Sequence, residues 1–302
     1  MLNSNNQDVG TILAEELLKE KRRERFWRNI RFISWFALFA YSLVNIFHPT
    51  SDHSLIAKTG KKYVALIRLN GMIAPESDVS AKELIPVLQD AFRDQRAVGV
   101  VIDINSPGGT PVQSAILHDT ILDFKKRYHK SVTVVGEDLL ASGAYYVAVA
   151  ADKIYVNANT LTGSIGVIMK GFGFVDAIKK LGVERRVYTA GNDKDRLDPF
   201  LPQSPDDIQK IKEVMNVIHE NFKQIVLEGR KGKLHANPET LFTGDFWSGD
   251  QALQLGLVDG LGNLLDVMEK EYHTTEYKEY GNATNLIKLL TGQLNSAMSM
   301  LF

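Results

Sequence analysis

The chain of 302 residues has no cysteine, which excludes disulfides, thiol catalysis, cysteine-type zinc sites and lipid attachment through a thiol. It has almost no net charge. Its 35 Lys and Arg stand against 36 Asp and Glu, a formal charge of -1, which argues against nucleic acid as a partner held by bulk electrostatics. There is no internal repeat, and no Gly-Lys-Ser/Thr follows its glycine loops, so a phosphate loop is not indicated. Nothing in the pattern calls for a metal or an organic cofactor. With 44% hydrophobic and 24% charged residues, the composition is globular, enough for one large core or two small ones.

Long apolar runs are also scarce. One uncharged run extends from Phe32 to Phe47, behind a cluster of Lys19, Lys21, Arg22, Arg23, Arg25, Arg28 and Arg31. It is shorter than the roughly 20 residues that span a bilayer comfortably. Trp27 and Trp35 suit an interface, and a tilted or locally thinned span accommodates the shortfall. The expectation is a cytoplasmic basic segment over 1–31, a transmembrane anchor over 32–47, a linker over 48–62 and a domain on the outer face beyond it. A secretory signal peptide ranks second and a buried core helix third. The tail, 273–302, includes an amphipathic stretch from Asn285 to Phe302, suited equally to membrane lipid, a subunit contact or packing on the domain.

From residue 63 to 272 short β-branched runs alternate with helical periods. Strands are expected at Tyr63 to Leu69, Val98 to Ile104, Val132 to Val135, Asp152 to Val156 and Glu184 to Thr189. Helices are expected at Ser80 to Asp94, Pro111 to Tyr128, Ser142 to Ala151 and Phe174 to Leu181. A long helix follows Ser204-Pro205-Asp206-Asp207, with serine as N-cap and proline at the first helical position, and a short one covers Asp250 to Leu255. This rhythm predicts repeated βαβ units in an α/β fold with a largely parallel sheet and a site at the carboxyl ends of its strands.

Two glycine-framed loops fall at such ends. Ser106-Pro107-Gly108-Gly109 follows one strand, and Ala141-Ser142-Gly143-Ala144 leads from another into an alanine-rich helix. A serine hydroxyl at an open strand-to-helix turn is a nucleophile candidate, with the N–H groups of Gly143 and Gly109 as donors to a developing oxyanion. Taken alone, a Ser-Gly pair opening a helix is more often an N-cap. A nucleophilic serine also needs a base. None of the seven histidines lies in a glycine-framed loop, and His118, His129 and His219 read as helix-surface residues. Lys194, in the polar loop Gly191-Asn192-Asp193-Lys194-Asp195, is a candidate only if desolvation leaves its amine neutral, and two flanking aspartates oppose that.

Val100 to Gly109, Leu140 to Asp152, Thr160-Leu161-Thr162-Gly163-Ser164-Ile165-Gly166-Val167, Gly191 to Phe200 and Phe246 to Gly262 together resemble the signal peptide peptidase A family of bacterial serine proteases. The resemblance implies a fold similar to the Clp protease and crotonase folds. It also implies a Ser-Lys dyad with Ser142 as nucleophile and Lys194 as general base, an oxyanion hole from Gly109 and Gly143, and Ser164 as a residue that orients the lysine. Ring-like homo-oligomers are implied too, in which the dyad forms either within one chain or with serine and lysine from neighbouring subunits. The expected activity is endopeptidase cleavage of signal-peptide remnants or other apolar peptides at a bacterial inner membrane. A crotonase-like acyl-CoA enzyme and a catalytically silent membrane scaffold are the alternatives.

Overall fold

The computed structural model describes residues 62–281 continuously and, before them, helical positions 21–23, 25–27, 29–36 and 39. Two units separate at Lys61/Lys62. In the first, Phe32, Ile33, Trp35, Phe36 and Phe39 are all exposed, and the Arg31 guanidinium donates to the Trp27 carbonyl (3.3 Å). Among the described residues no helix is long and apolar enough to cross a membrane. Most of the expected span over 32–47, the linker up to 61 and the amphipathic stretch over 285–302 lie outside the described residues.

The second unit is α/β. Its strands are β1 (Tyr63–Asn70), β2 (Ala97–Ser106), β3 (Val132–Ala141), β4 (Lys153–Val156), β5 (Leu161–Gly163), β6 (Phe246–Ser248), β7 (Gly260–Leu261) and β8 (Tyr277–Tyr280). The helices are α1 (Ala81–Arg93), α2 (Pro111–Tyr128), α3 (Gly143–Ala148), α4 (Val175–Lys180), α5 (Pro205–Gly229), α6 (Pro238–Leu241), α7 (Gly249–Leu255) and α8 (Leu264–Tyr272). The sheet runs β6-β5-β3-β2-β1-β8, with β4 against β3 and β7 against β4. Every pairing is parallel except β5 with β6.

Parallel strands buried on both faces need apolar side chains in near-continuous runs, and β1 and β2 supply them. Val64, Leu66, Val101 and Val135 pack with Val267 and Met268 of α8. By alternation the opposite face carries Ile67, Ile102 and Ile104, all fully buried, on the side covered by α1 and α2. There Phe92 meets Phe124 edge-on at 5.6 Å. The N-cap expected at Ser204 is present and is half of a capping box, with Ser204 Oγ accepting from the Asp207 N–H (3.1 Å) and Asp207 accepting from the Ser204 N–H (3.2 Å).

One strand behaves unexpectedly. β3 continues well past Val135. Thr133 to Gly136 pair with β4, whereas Leu139 to Ala141 pair with β5. Glu137 and Asp138 fall between, so the strand forks. The register against β2 shifts there too, between Ile104 and Ser106, and the Asn105 amide oxygen accepts from the freed Leu139 N–H (3.2 Å). The fork carries the end of β3 to its second partner, and with it the turn at Ser142.

The strand expected over Glu184 to Thr189 does not form: these residues are irregular and largely exposed. β-branched composition is not enough where no neighbouring strand offers a ladder. The histidine reading also needs correction. His118 is 3% exposed, because α2 turns it under the ring of Tyr146 at 5.4 Å. His219 is half-buried, with Nε2 at 3.0 Å from the Ile165 carbonyl. Only His129 of the three is exposed.

Candidate active site

Ser142 joins β3 to α3 with φ 54° and ψ -124°. These are the dihedrals of the first central residue of a type II′ turn, a position that favours glycine. A side chain held there costs about 1–3 kcal/mol and persists only where the surroundings enforce it. The enforcement is visible. The Ser142 N–H donates to the Gly163 carbonyl (2.8 Å) and the Tyr146 N–H to the Ser142 carbonyl (3.0 Å). One residue back, the Thr162 hydroxyl donates to the Leu140 carbonyl (2.7 Å). Although Ser142 occupies the N-cap position of α3, its side chain makes no capping hydrogen bond. The capping explanation for this serine therefore fails, and the hydroxyl is left free for other chemistry.

The diglycine loop after β2 is pressed against this turn. The Ile73 N–H donates to the Gly108 carbonyl (2.9 Å) and the Thr110 N–H to the Ile73 carbonyl (2.8 Å). That is a parallel bridge centred on Gly109, and such a bridge turns the N–H of Gly109 away from Ile73. A methyl on Gly108, whose φ is +94°, would lie 2.5 Å from the Gly143 nitrogen and 2.8 Å from Ser142 Cβ. A methyl on Gly143 would lie 2.4 Å from Ser114 Oγ and 3.0 Å from the Gly109 nitrogen. Only glycines let the two backbones approach this closely. Gly143 is also the first residue of α3, where N–H groups lack intrahelical acceptors. The result is a free hydroxyl beside two backbone N–H groups, the arrangement that stabilises a tetrahedral oxyanion in acyl transfer.

Beside them lies a cavity of about 100 Å³ lined by Ser142, Gly109, Gly143, Tyr146, Ile218 and Phe222, with the stretch 166–168 closing one side. Its walls are mainly apolar. Tyr146 lies between Phe222, 5.0 Å away, and His118, and burial raises its phenol above the ordinary tyrosine value. Ser114 is fully buried in the wall, and its hydroxyl donates to the Thr110 carbonyl (3.1 Å).

Lys194 lies elsewhere. It belongs to an exposed turn in which its N–H donates to the Gly191 carbonyl (3.2 Å). It lines a separate, open concavity of about 460 Å³ with Arg185, Asp195, Asp198 and Phe200, and it is absent from the lining of the Ser142 cavity. Of the two flanking acids, Asp193 is turned onto Arg196 at 3.0 Å, and Asp195 shares the concavity with the lysine. Ser164 has φ 50° and its N–H bonds the Asp245 carbonyl (2.7 Å). It sits next to Gly163 but is not in the cavity lining. The fold thus brings together Ser142, Gly109 and Gly143 and leaves Lys194 and Ser164 outside that group. Sequence reasoning missed Ser114, which carries no signal beyond its helical position. Ile218 and Phe222 were legible only as part of an apolar stripe.

Residues 124–278, about half of the chain, match the model of Peptidase family S49. The chain belongs to this family. A protein of Enterococcus faecium named as a candidate signal peptide peptidase, SppA, is 31% identical over 78% of this chain and 71% of its own length. Protease 4 of Haemophilus influenzae is 28% identical over 68% of this chain and 34% of its own length. The S49 chain is also 44% identical, over 69% of its length, to a Brucella melitensis protein named Na(+)/H(+) antiporter NhaA. It spans only 29% of that protein.

Proposed function

We propose that this S49 chain is a membrane-anchored serine endopeptidase that uses a Ser-Lys dyad to cleave apolar peptides such as signal-peptide remnants. The observation that carries the reading is the Ser142 hydroxyl, uncapped on a strained turn beside the N–H groups of Gly109 and Gly143 and an apolar cavity. In this mechanism Ser142 Oγ attacks the scissile carbonyl carbon while the Lys194 amine takes its proton. The two glycine N–H groups hold the oxyanion, and collapse expels the amine product, protonated by Lys194. Water, deprotonated by the same lysine, then hydrolyses the Ser142 ester.

Because Lys194 does not line the Ser142 cavity of its own chain, the lysine is supplied by a neighbouring copy in a ring-like homo-oligomer, with Ser164 of the serine-bearing copy orienting it. In support, Ile168, Phe172, Leu181, Tyr188 and Val217 expose apolar surface on the stretches around the two concavities. Anchoring rests on the uncharged run 32–47 behind its basic flank. The exposed side chains of Phe32, Ile33, Trp35, Phe36 and Phe39 suit membrane lipid, with the N-terminus cytoplasmic and the catalytic unit outside. Membership of a peptidase family favours this reading over an acyl-CoA enzyme.

The test is complementation. Ser142→Ala and Lys194→Ala should each abolish cleavage of an apolar fluorogenic peptide. Mixed and reassembled, the two inactive proteins should recover turnover at about a quarter of the sites by random assortment in a closed ring. Normal turnover by either single variant refutes the dyad, and a mixture that stays inactive refutes its division between chains.

A further inference from the structure

Two walls of the Ser142 cavity come from parts of the chain far apart in sequence: Ile218 and Phe222 of α5, and Gly166, Val167 and Ile168 of the stretch after β5. Among the described residues a single side chain of α5 is hydrogen-bonded to the start of that stretch. His219, next to Ile218, holds its Nε2 3.0 Å from the carbonyl oxygen of Ile165, the residue before Gly166. A carbonyl only accepts, so Nε2 carries the proton. The peptidase mechanism leaves this histidine without a role.

The bond falls where the stretch loses its other supports. Upstream, β5 is paired with β3 and β6 as far as Gly163, and the Ser164 N–H donates to the Asp245 carbonyl (2.7 Å). Downstream, no backbone hydrogen bond among the described residues engages 166–173, and the next runs from the Phe174 N–H to the Pro199 carbonyl (2.6 Å). A peptide unit is planar and trans, so the Ile165 carbonyl and the Gly166 N–H point in opposite directions. Fixing the carbonyl on His219 therefore fixes which way the Gly166 N–H faces. The unit needs that restraint, because Gly166 has no side chain to limit its rotation. A methyl there would lie 2.8 Å from the Gly244 Cα, so a bulkier residue at 166 could not supply the restraint instead.

We infer that His219 is a positioning residue for the peptide substrate: its Nε2–H holds the Ile165–Gly166 peptide plane, and through it the wall 166–168, at a fixed distance from Ile218 and Phe222. This role rests on the peptidase reading, in which an apolar side chain of the peptide occupies the cavity. Ser142 and the two glycine N–H groups have supports of their own, in the Gly163 carbonyl and the Ile73 bridge, and Ser164 keeps its bond to Asp245. Loss of the tether therefore acts on how the peptide is held and not on attack at its carbonyl. Glutamine can replace histidine here, because its side-chain amide offers an N–H donor at a similar reach from the backbone.

The experiment compares the full-chain parent, His219→Ala and His219→Gln in steady-state hydrolysis of an apolar fluorogenic peptide and of p-nitrophenyl acetate, an ester too small to span the cavity. Affinity for a fluorescein-labelled apolar peptide is read by anisotropy in the same three proteins carrying Ser142→Ala. His219→Ala should raise the peptide KM and weaken peptide affinity about fivefold, the worth of one ordinary hydrogen bond, with kcat within about twofold, so that peptide turnover falls relative to ester turnover. His219→Gln should restore KM and affinity. Unchanged KM and affinity in His219→Ala, a parallel loss of ester hydrolysis, or failure of His219→Gln to restore affinity overturns the inference. A parent that binds the labelled peptide but cleaves neither substrate refutes the Ser-Lys reading, and the affinities alone then decide the role of His219. A parent that neither binds nor cleaves the peptide overturns both.

Discussion

Replacing Ser142 separates a nucleophile from a cap by stability alone, without any substrate. If the hydroxyl capped α3, Ser142→Ala would cost about 1 kcal/mol, within the usual span of about 0.5–2. Here the side chain caps nothing, so the alanine variant should unfold within about 0.5 kcal/mol of the parent. Ser142→Gly probes the backbone. At φ 54° and ψ -124° glycine relieves most of a strain of about 1–3 kcal/mol. Its greater freedom in the unfolded chain takes back about 0.4–1 kcal/mol.

The glycine variant should therefore be more stable than the parent by about 0.5–2 kcal/mol, which for a unit of this size raises Tm by about 2–4 °C per kcal/mol. Both variants should be catalytically dead, so the serine is retained at a cost in stability, a trade expected of an active-site residue. The assay is equilibrium denaturation of the three proteins in parallel, with peptide hydrolysis measured on the same samples. An alanine variant destabilised by 1 kcal/mol or more, together with a glycine variant no more stable than the alanine one, would refute the assignment of Ser142 to a strained, uncapped turn.

Phe222→Leu opens the wall next to Tyr146 while keeping it apolar. It should raise kcat/KM for a peptide with phenylalanine before the scissile bond, relative to one with alanine, by about tenfold, measured with paired fluorogenic substrates. Asp259→Asn should cost about 3–5 kcal/mol at neutral pH. It leaves the Arg230 guanidinium, 2% exposed and 2.6 Å from Asp259, without its countercharge. Burial pushes the Asp259 carboxyl up, but hydrogen bonds from Arg230 and Lys233 outweigh it and hold the group below the ordinary carboxylate range. A depressed folded-state value means that this stabilisation is complete above about pH 4 and is lost as pH falls through the folded value. The gap between parent and variant should therefore hold above about pH 4 and narrow progressively below it, as read from denaturant midpoints between about pH 2 and 7.

What the sequence revealed was local. The strand, glycine loop and helix around Gly109, and again around Ser142, follow from runs of β-branched residues, paired small residues and a helical period, all within ten residues of one another. The serine N-cap and first-position proline that start the long helix at Ser204 are likewise written in consecutive letters. What escaped depended on distant partners. β3 runs on to Ala141 because β5 receives its far half, although Glu137 and Asp138 interrupt the apolar run. Glu184 to Thr189 have strand composition and no strand to pair with. His118 is polar on a helix, and only the ring of Tyr146 above it decides that it is buried. The relation of Lys194 to Ser142 was carried by family resemblance alone, and the fold of one chain keeps them in separate concavities.

The bend in β3 accounts for two concavities, the Ser142 cavity and one at the fork. Had that strand stayed with β4 beyond Val156, its end could not have met β5, and the Ser142 N–H would have had no Gly163 carbonyl to bind. Leaving β4 requires residues that do without a ladder partner on that side, and Glu137 and Asp138 meet the requirement because their side chains reach solvent. Their backbone is steadied instead by Thr160, whose hydroxyl donates to the Glu137 carbonyl (2.6 Å). The opening they leave is a cavity whose wall includes Asp103 of the neighbouring strand, itself buried against Arg68. Four residues separate Glu137 from Ser142, too few to absorb a shift without passing it on along an extended segment. A change at the fork is therefore passed on to the strand end that holds the nucleophile's strained turn.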